Sequence, residues 1–223
     1  MENKIEIIYE DKQILVLNKP AGVVSTKEGR EEKNPTVEAW LEGKVESGLL
    51  RNGVVHRLDK GTSGLLIVAK DKIALEAMKK IFLKRRIKKV YLALVGGDVS
   101  FKGVIEVPIG RKQFAKFGVT LGGKMARSEF RLIKKYKKEG RKYSLVEVDL
   151  KSGRTHQIRV HFAYLGWPLV GDSLYGGEKL PICRPFLHAT KLEFRQAISG
   201  KNIKLECKLP LELEESLKDY EEV

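Results

Sequence analysis

One aspartate lies in a charged segment between two apolar runs, where its carboxylate could take part in catalysis. Residues 54–64 read Val-Val-His-Arg-Leu-Asp-Lys-Gly-Thr-Ser-Gly, and a second run of mainly apolar residues follows at 65–70. This pattern predicts a loop held between two buried strands, with its carboxylate partly shielded from water. A rigidly held carboxylate facing a cleft is suited to catalysis. Alternatively, Asp59 caps the glycine turn or pairs with Arg57.

Other chemistries fit the sequence less well. A phosphate-binding loop needs glycines before its lysine, whereas Gly61 follows Lys60. Cys183 and Cys207 match neither a disulfide framework nor the spacing of a zinc site, so we expect both to be core residues. The two closest histidines are His156 and the residue five positions later, which misses the i,i+4 spacing of a helical metal site. We therefore expect no bound metal.

The composition indicates a basic protein that binds polyanions. The 223 residues carry 43 Lys and Arg against 29 Asp and Glu, a net charge of +14. Such a charge attracts RNA, DNA or an acidic membrane surface. No stretch is long enough to span a membrane and the first residues are unlike a signal peptide. We expect a monomeric cytoplasmic protein that does not bind membranes, with one domain over residues 1–223 and its core over about 5–210.

The spacing of apolar residues predicts both strands and helices. Strands are expected at 5–9, 14–17, 91–95, 129–133 and 143–150, with extended hairpins over 96–130. Basic side chains line these hairpins, and Phe114 and Phe117 could stack on unpaired bases or pack within the hairpin. The fold class expected is α+β.

Three helices are predicted from capping signals. The first has Asn34 as its cap and Pro35 in its first turn, and the third has Thr155 as its cap. Asp71 caps the second, whose buried face is expected to carry Ala74, Leu75, Met78, Ile81 and Phe82.

Several segments together resemble the RluA family of RNA pseudouridine synthases. They are the loop 54–64, the opening Asn-Lys-Pro-Ala-Gly at 18–22, the strand 89–95, which reads Lys-Val-Tyr-Leu-Ala-Leu-Val, and the block Gly-Arg-Thr-His-Gln-Ile-Arg at 153–159. The resemblance covers roughly 5–210. It implies the pseudouridine synthase fold: a mixed, mainly antiparallel sheet with flanking helices, and two lobes around a central basic catalytic cleft. It also implies that the separate N-terminal RNA-binding domain of many relatives is absent.

The resemblance assigns roles to particular residues. Asp59 corresponds to the catalytic aspartate, Tyr91 to the tyrosine that packs against the target base, and Arg159 to the arginine that pairs with the aspartate. Ile158 would help to form the apolar floor of the base pocket. Arg57 corresponds to the arginine that occupies the space left by a flipped base. The remaining expected RNA contacts are His56, Lys84, Arg85, Arg86, Arg111, Lys124, Arg154 and His156.

The expected reaction is the isomerisation of uridine in structured RNA, either tRNA or large-subunit rRNA. It involves no net redox change and adds no group, so we expect no cofactor. Two alternatives are a non-catalytic RNA-binding factor and a glycosylase that releases the base. In one place the sequence departs from the family, because Arg195-Gln196 stands where relatives commonly have His-Pro.

Overall fold

The computed structural model describes residues 4–27, 34–112 and 116–223. The strands are β1 (Glu6–Glu10), β2 (Ile14–Lys19), β3 (Ser63–Ala69), β4 (Ile87–Gly96), β5 (Gly103–Arg111), β6 (Phe117–Val119), β7 (Lys124–Lys138), β8 (Arg141–Leu150), β9 (Leu187–Arg195), β10 (Asn202–Glu206) and β11 (Glu221–Glu222). The α-helices are α1 (Val37–Trp40), α2 (Lys72–Leu83), α3 (Gln157–Tyr164) and α4 (Leu211–Leu217). Short 3-10 turns lie at Leu50–Gly53 and Ser173–Tyr175. The α+β fold class is confirmed.

The chain forms two compact units. Unit 1 comprises Met1–Lys88 and Ala189–Lys208, and unit 2 comprises Lys89–His188 and Leu209–Val223. Unit 1 has the strand order β1-β2-β3-β9, with β10 paired to β9. Unit 2 has the strand order β4-β8-β7-β5-β6, with β11 paired to β7. The pairs β1–β2, β2–β3 and β9–β10, and those joining β8 to β4 and β7, are antiparallel.

The core of unit 1 lies between its strands and α2. Every residue of β3 is buried, and one buried cluster joins β2, β3, β9 and β10 to Met78 and Ile81 of α2. The predicted cap is confirmed, because the Asp71 carboxylate accepts a hydrogen bond from the Ala74 N–H at 2.7 Å. This bond satisfies one of the N–H groups that the first helical turn leaves without a partner.

In unit 2, α3 packs against β5, β6 and β7. Val160 of α3 joins a buried cluster with Ile109 of β5 and Ala126 of β7. The ring of Phe162 contacts that of Phe130 edge-on, with 5.4 Å between centroids. The long β7–β8 hairpin agrees with the strands predicted at 129–133 and 143–150. The sheet therefore supports α3, the helix that carries the predicted site residues Ile158 and Arg159.

Several predictions about individual elements are wrong. The run at Val54 forms a single bridge to Val68 rather than a strand. The first helix is capped by Thr36 rather than Asn34, because residue 36 also bridges to Val24 and this pairing keeps the chain extended up to the cap.

Two further predictions are corrected in unit 2. Helix α3 begins at Gln157, and its cap position is held by His156 in the left-handed conformation rather than by Thr155. Cys183 is exposed and only Cys207 is buried.

Candidate active site

The loop that carries Asp59, residues 56–64, is hydrogen-bonded to a preceding segment of unit 1 on both sides of the aspartate. The Ser25 hydroxyl donates to the Leu58 carbonyl at 2.8 Å and accepts from the Leu58 N–H at 3.0 Å. The Gly22 N–H donates to the Lys60 carbonyl at 2.8 Å. Leu58 itself is buried. The main chain is therefore fixed immediately before and after Asp59, whose side chain is half-buried.

A buried lysine supports the segment that holds this loop. Lys19 is 0% exposed, and its ammonium donates to the carbonyls of Pro20 at 2.9 Å and Val23 at 2.7 Å. Burying an ammonium is costly unless it is hydrogen-bonded, so these bonds favour one conformation of residues 20–23. Lys19 thus stabilises the segment that donates from Gly22 to the Asp59 loop.

The loop ends in a close contact with the next strand. Gly64 has a φ of 115°, and a Cβ at this position would lie 2.2 Å from the carbonyl oxygen of Ala189. Only glycine permits this approach of β3 to β9. Within the loop, the Thr62 N–H donates to the Asp59 carbonyl at 3.0 Å, which closes the turn.

His56 has a structural role in the same loop. Its Nε2 accepts a hydrogen bond from the Ile67 N–H at 3.0 Å, and its ring stacks on Phe82 with 4.8 Å between centroids. Since Nε2 is an acceptor, the bond specifies the tautomer protonated on Nδ1. Arg57, the next residue, is exposed.

The predicted site residues of unit 2 lie on β4 and α3. Tyr91 is 6% exposed and stands opposite Val148 in the β4–β8 pair. Ile158 and Arg159 are both buried. Arg159 donates from Nε to Asp172 Oδ2 at 2.7 Å and from Nη2 to Oδ1 at 2.8 Å. This two-bond pairing fixes the plane of the guanidinium as well as its position.

Tyr175 lies at the centre of a cationic and aromatic group. The Arg159 guanidinium lies 5.0 Å from its ring centroid and the Lys116 ammonium 5.2 Å from it. The tyrosine hydroxyl is 3.0 Å from His156 Nδ1 and accepts from the Phe117 N–H at 3.3 Å. Arg159, Asp172, Tyr175 and His156 are called the Arg159 cluster below.

Gln157 fixes the start of α3 and thereby the position of Arg159. Its carbonyl oxygen accepts from the Ser152 hydroxyl at 2.8 Å and the Arg154 N–H at 3.0 Å. Its amide donates to the Arg127 carbonyl at 3.0 Å and the Ser128 hydroxyl at 2.9 Å. A fully satisfied buried amide specifies a unique arrangement, so the helix start is rigid.

Comparison with known proteins identifies the family. The family model described as RNA pseudouridylate synthase matches residues 13–164. The chain is 37% identical over 227 residues to ribosomal large subunit pseudouridine synthase D of Pseudomonas aeruginosa, a match that covers 93% of this chain and 69% of the relative. It is 36% identical to the RNA pseudouridine synthase YlyB of Bacillus subtilis, covering 96% of this chain and 72% of the relative. This chain belongs to the RNA pseudouridine synthase family.

Solved structures agree with this assignment. Human RNA pseudouridylate synthase domain containing 1 matches with a TM-score of 0.79 and 27% identity, over 99% of this chain and 89% of that chain. Human RNA pseudouridylate synthase domain containing 4, at a TM-score of 0.73 and 23% identity, shares the fold. The predicted family, fold and enzyme class are therefore confirmed: the synthase is an isomerase that acts on RNA.

The basic residues predicted to contact RNA lie in several parts of the synthase. Lys84, Arg85 and Arg86 are exposed where α2 ends. Arg111 and Lys124 are exposed on β5 and β7. Arg154 is half-buried, and its Nε donates to the Met125 carbonyl at 3.4 Å. Of the two phenylalanines, Phe117 packs edge-on against His156, whereas Phe114 lies outside the described residues. The RNA contacts themselves stay predictions.

The sequence analysis gave no role to Asp172 or Tyr175, which lie in the segment Gly-Asp-Ser-Leu-Tyr-Gly at 171–176. Asp172 is 1% exposed. Gly171 has a φ of 80°, and a Cβ there would lie 2.0 Å from the Arg184 carbonyl oxygen. The available signal was an aspartate in a segment that begins and ends with glycine and lacks apolar periodicity. Such a segment is typical of a turn that can hold a buried charged side chain.

Helix α3 also carries a buried neutral histidine. His161 is fully buried, and among the described residues neither ring nitrogen has a hydrogen-bond partner. Burial lowers the pKa of His161 to about 4. The imidazole is therefore uncharged near neutral pH and adds no charge to the helix that carries Arg159.

No helix within residues 4–27, 34–112 and 116–223 is long and apolar enough to cross a bilayer.

Proposed function

We propose that this synthase converts uridine to pseudouridine in RNA with Asp59 as the catalytic carboxylate, and that both units act together as one monomeric catalytic domain over 1–223. The observation that carries the proposal is the anchoring of the main chain on both sides of Asp59, by Ser25 and by Gly22. A catalytic group must be held close to its productive geometry, and misplacement by about 1 Å can cost about 100-fold in rate.

The reaction requires an ionised carboxylate and no cofactor. The bond between ribose C1′ and N1 of uracil breaks, the base turns, and C1′ bonds to C5. The C5 proton is then lost and N1 gains a proton, so atoms and electrons balance. The carboxylate could attack C1′, stabilise a cation there, or remove a ribose proton, and each role requires its negative charge.

Tyr91 and Arg159 are proposed to act beside Asp59. Tyr91 would pack against the target base and assist removal of the C5 proton, and Ile158 would form part of the apolar floor. Arg159 would pair with Asp59 and keep it ionised. A guanidinium has five N–H donors, so its two bonds to Asp172 are chemically compatible with a second carboxylate.

A hydroxyl-deleting variant tests the role of Tyr91. Tyr91→Phe should retain RNA affinity and lower the rate of product formation by about 100-fold, the lower end of what general acid–base groups contribute. Tyr91→Ala should also weaken binding of the base. Normal turnover by both variants would limit Tyr91 to a packing role.

The names of the relatives point to large-subunit rRNA as the substrate. We propose that this synthase acts on that RNA in the cytoplasm. Two matched relatives are named ribosomal large subunit pseudouridine synthases, from Pseudomonas aeruginosa and Zymomonas mobilis. A uridine within a helix would have to be flipped out, at a cost of a few kcal/mol that is smallest in loops. Arg57, exposed two residues before Asp59, would fill the vacated space.

Mapping pseudouridine in cellular RNA tests this proposal. Cells lacking the synthase should lose particular pseudouridines in large-subunit rRNA, and the wild-type gene should restore them whereas Asp59→Asn should not. Loss from tRNA alone would move the proposed substrate to tRNA. Restoration by Asp59→Asn would favour a non-catalytic RNA-binding factor, and free uracil released in vitro would indicate a glycosylase.

A further inference from the structure

A basic groove of about 970 Å³ lies in unit 1 between α2 and the turn that joins β9 to β10. One wall is a face of α2, and the other is the turn at residues 195–200. We call this feature the α2 groove. It is lined by five cations: Lys72, Lys80, Lys84, Arg86 and Arg195.

The cations of the groove differ from several other lysines of unit 1. In the described residues none of the five forms a salt bridge, whereas Lys79, Lys88 and Lys191 of the same unit are paired with Glu76, Glu193 and Glu206. Glu76 is the one acidic residue in the groove, and Lys79 holds it at 2.7 Å. Unpaired like charges repel one another, so this arrangement is suited to an external anion.

The turn that forms the second wall is rigid before any ligand binds. The Gln196 side-chain oxygen accepts from the Ile198 N–H at 2.7 Å, the Ser199 N–H at 2.6 Å and the Ser199 hydroxyl at 2.9 Å. Arg195 Nε donates to the Gly200 carbonyl at 3.0 Å. These bonds position the Arg195 guanidinium, so its ordering adds little to the cost of binding.

The spacing along α2 fits an extended polyanion. Lys72, Lys80 and Lys84 recur at multiples of four residues, so they lie on one side of the helix, and the intervening position of this row is Glu76, which is paired with Lys79. With a rise of about 1.5 Å per residue they span about 18 Å. Single small anions would use only part of such a row. A strand of nucleic acid presents a phosphate to each cation in turn.

We propose that the α2 groove binds a strand of the substrate RNA through its phosphates, with residues other than those assigned to catalysis. The proposal rests on the proposed function, which makes RNA the partner. It adds Lys72, Lys80 and Arg195 to the expected RNA contacts and gives Lys84 and Arg86 a defined site. Such contacts orient the RNA and supply affinity without selecting the uridine.

A triple substitution with a charge-matched control tests the groove. The groove variant is Lys80→Gln, Arg86→Gln and Arg195→Gln. The control is Arg131→Gln, Lys134→Gln and Lys142→Gln, which lowers the net charge equally but removes cations paired with Glu147, Glu222 and Asp98. The probe is unmodified large-subunit rRNA transcribed in vitro. Equal thermal unfolding of both variants and wild type confirms that the fold is intact.

Loss of three phosphate contacts should reduce the slope of log affinity against log salt by about 2 and weaken RNA binding on the order of tenfold or more. The control should change both quantities far less. At saturating RNA the groove variant should keep the wild-type kcat with a raised KM. Equal RNA affinities for the two variants would overturn the proposal. So would unchanged RNA affinity with lost binding to vesicles of phosphatidylcholine and phosphatidylglycerol, since the partner would then be a membrane.

The two proposals fail in distinguishable ways. If wild type forms no pseudouridine but the groove variant alone loses RNA affinity, the proposed function fails and the groove stands. If wild type forms pseudouridine and the groove variant matches it in KM and salt slope, the groove fails and the proposed function stands.

Discussion

The Asp59 loop and the Arg159 cluster hold charged side chains by different means. In the loop, neutral hydrogen bonds from Ser25 and Gly22 act on the main chain beside Asp59 and not on its carboxylate. In the cluster, the charged side chain itself is held, by the Asp172 carboxylate and the Tyr175 ring. The bonds described thus fix the main chain in the loop, whereas in the cluster they fix a charged side chain directly.

Removing the negative charge of Asp172 in the Arg159 cluster should have the largest effect on stability. Asp172→Asn retains the size of the side chain but removes the negative charge that accepts two hydrogen bonds from the buried Arg159, which should lower the free energy of unfolding by about 3–5 kcal/mol. Urea denaturation measures this change. The control is Glu147→Gln, which breaks the surface pair with Arg131 and should cost no more than about 1 kcal/mol. Equal losses of unfolding free energy in the two variants would mean that the buried pair contributes no more to stability than a surface pair.

Acid should destabilise α3 through its buried histidine. His161 has a pKa lowered by burial from the ordinary 6.5 to about 4. Because the unfolded chain binds this proton at higher pH than the folded chain, stability falls as pH decreases from about 6.5 to about 4. The loss should approach about 3 kcal/mol. His161→Leu should remove this part of the pH dependence, measured as the difference from wild type across the window. An unchanged pH profile would contradict the assignment.

Breaking the hydrogen bonds between Ser25 and Leu58 should cost less stability than breaking the Arg159–Asp172 pair. Ser25→Ala leaves the Leu58 N–H and carbonyl without their hydroxyl partner, a cost of about 1–3 kcal/mol. Because the loop would loosen around Asp59, kcat should fall while RNA affinity is retained. Ser47→Ala, at an exposed position, should change stability by less than about 0.5 kcal/mol. Reduced RNA affinity with normal kcat in Ser25→Ala would mean that the hydrogen bonds between Ser25 and Leu58 serve RNA binding instead.

Elements with local signals were predicted well from the sequence. The Asp71 cap and the buried face of α2 follow from residues within a few positions of one another, and Ala74, Leu75, Met78 and Ile81 are buried as predicted. Phe82 is only partly buried and stacks on His56. The two strands of the β7–β8 hairpin were similarly predicted from the spacing of apolar residues within 129–133 and 143–150.

Features that depend on distant parts of the chain were not predicted. The cap of α1 lies at Thr36 because this residue bridges to Val24. The hydrogen bonds that hold Leu58 come from Ser25, 33 positions away. The Arg159–Asp172 pair joins residues 13 apart across an irregular segment. The departure at Gln196 was visible in the sequence, but its side chain's role in the turn required coordinates. The resemblance to a family assigned roles that neither periodicity nor composition could assign.

The central claim is that the ionised carboxylate of Asp59 performs the chemistry. Its most direct test is the single-turnover release of a labelled C5 hydrogen from substrate RNA by purified Asp59→Asn. RNA binding should be retained or tightened, and hydrogen release should slow by at least about 10⁴-fold, since an amide can neither attack C1′ nor stabilise a cation there. Adding Arg159→Ala should cost little more if the two residues act as one unit. Undiminished hydrogen release by Asp59→Asn would contradict the account.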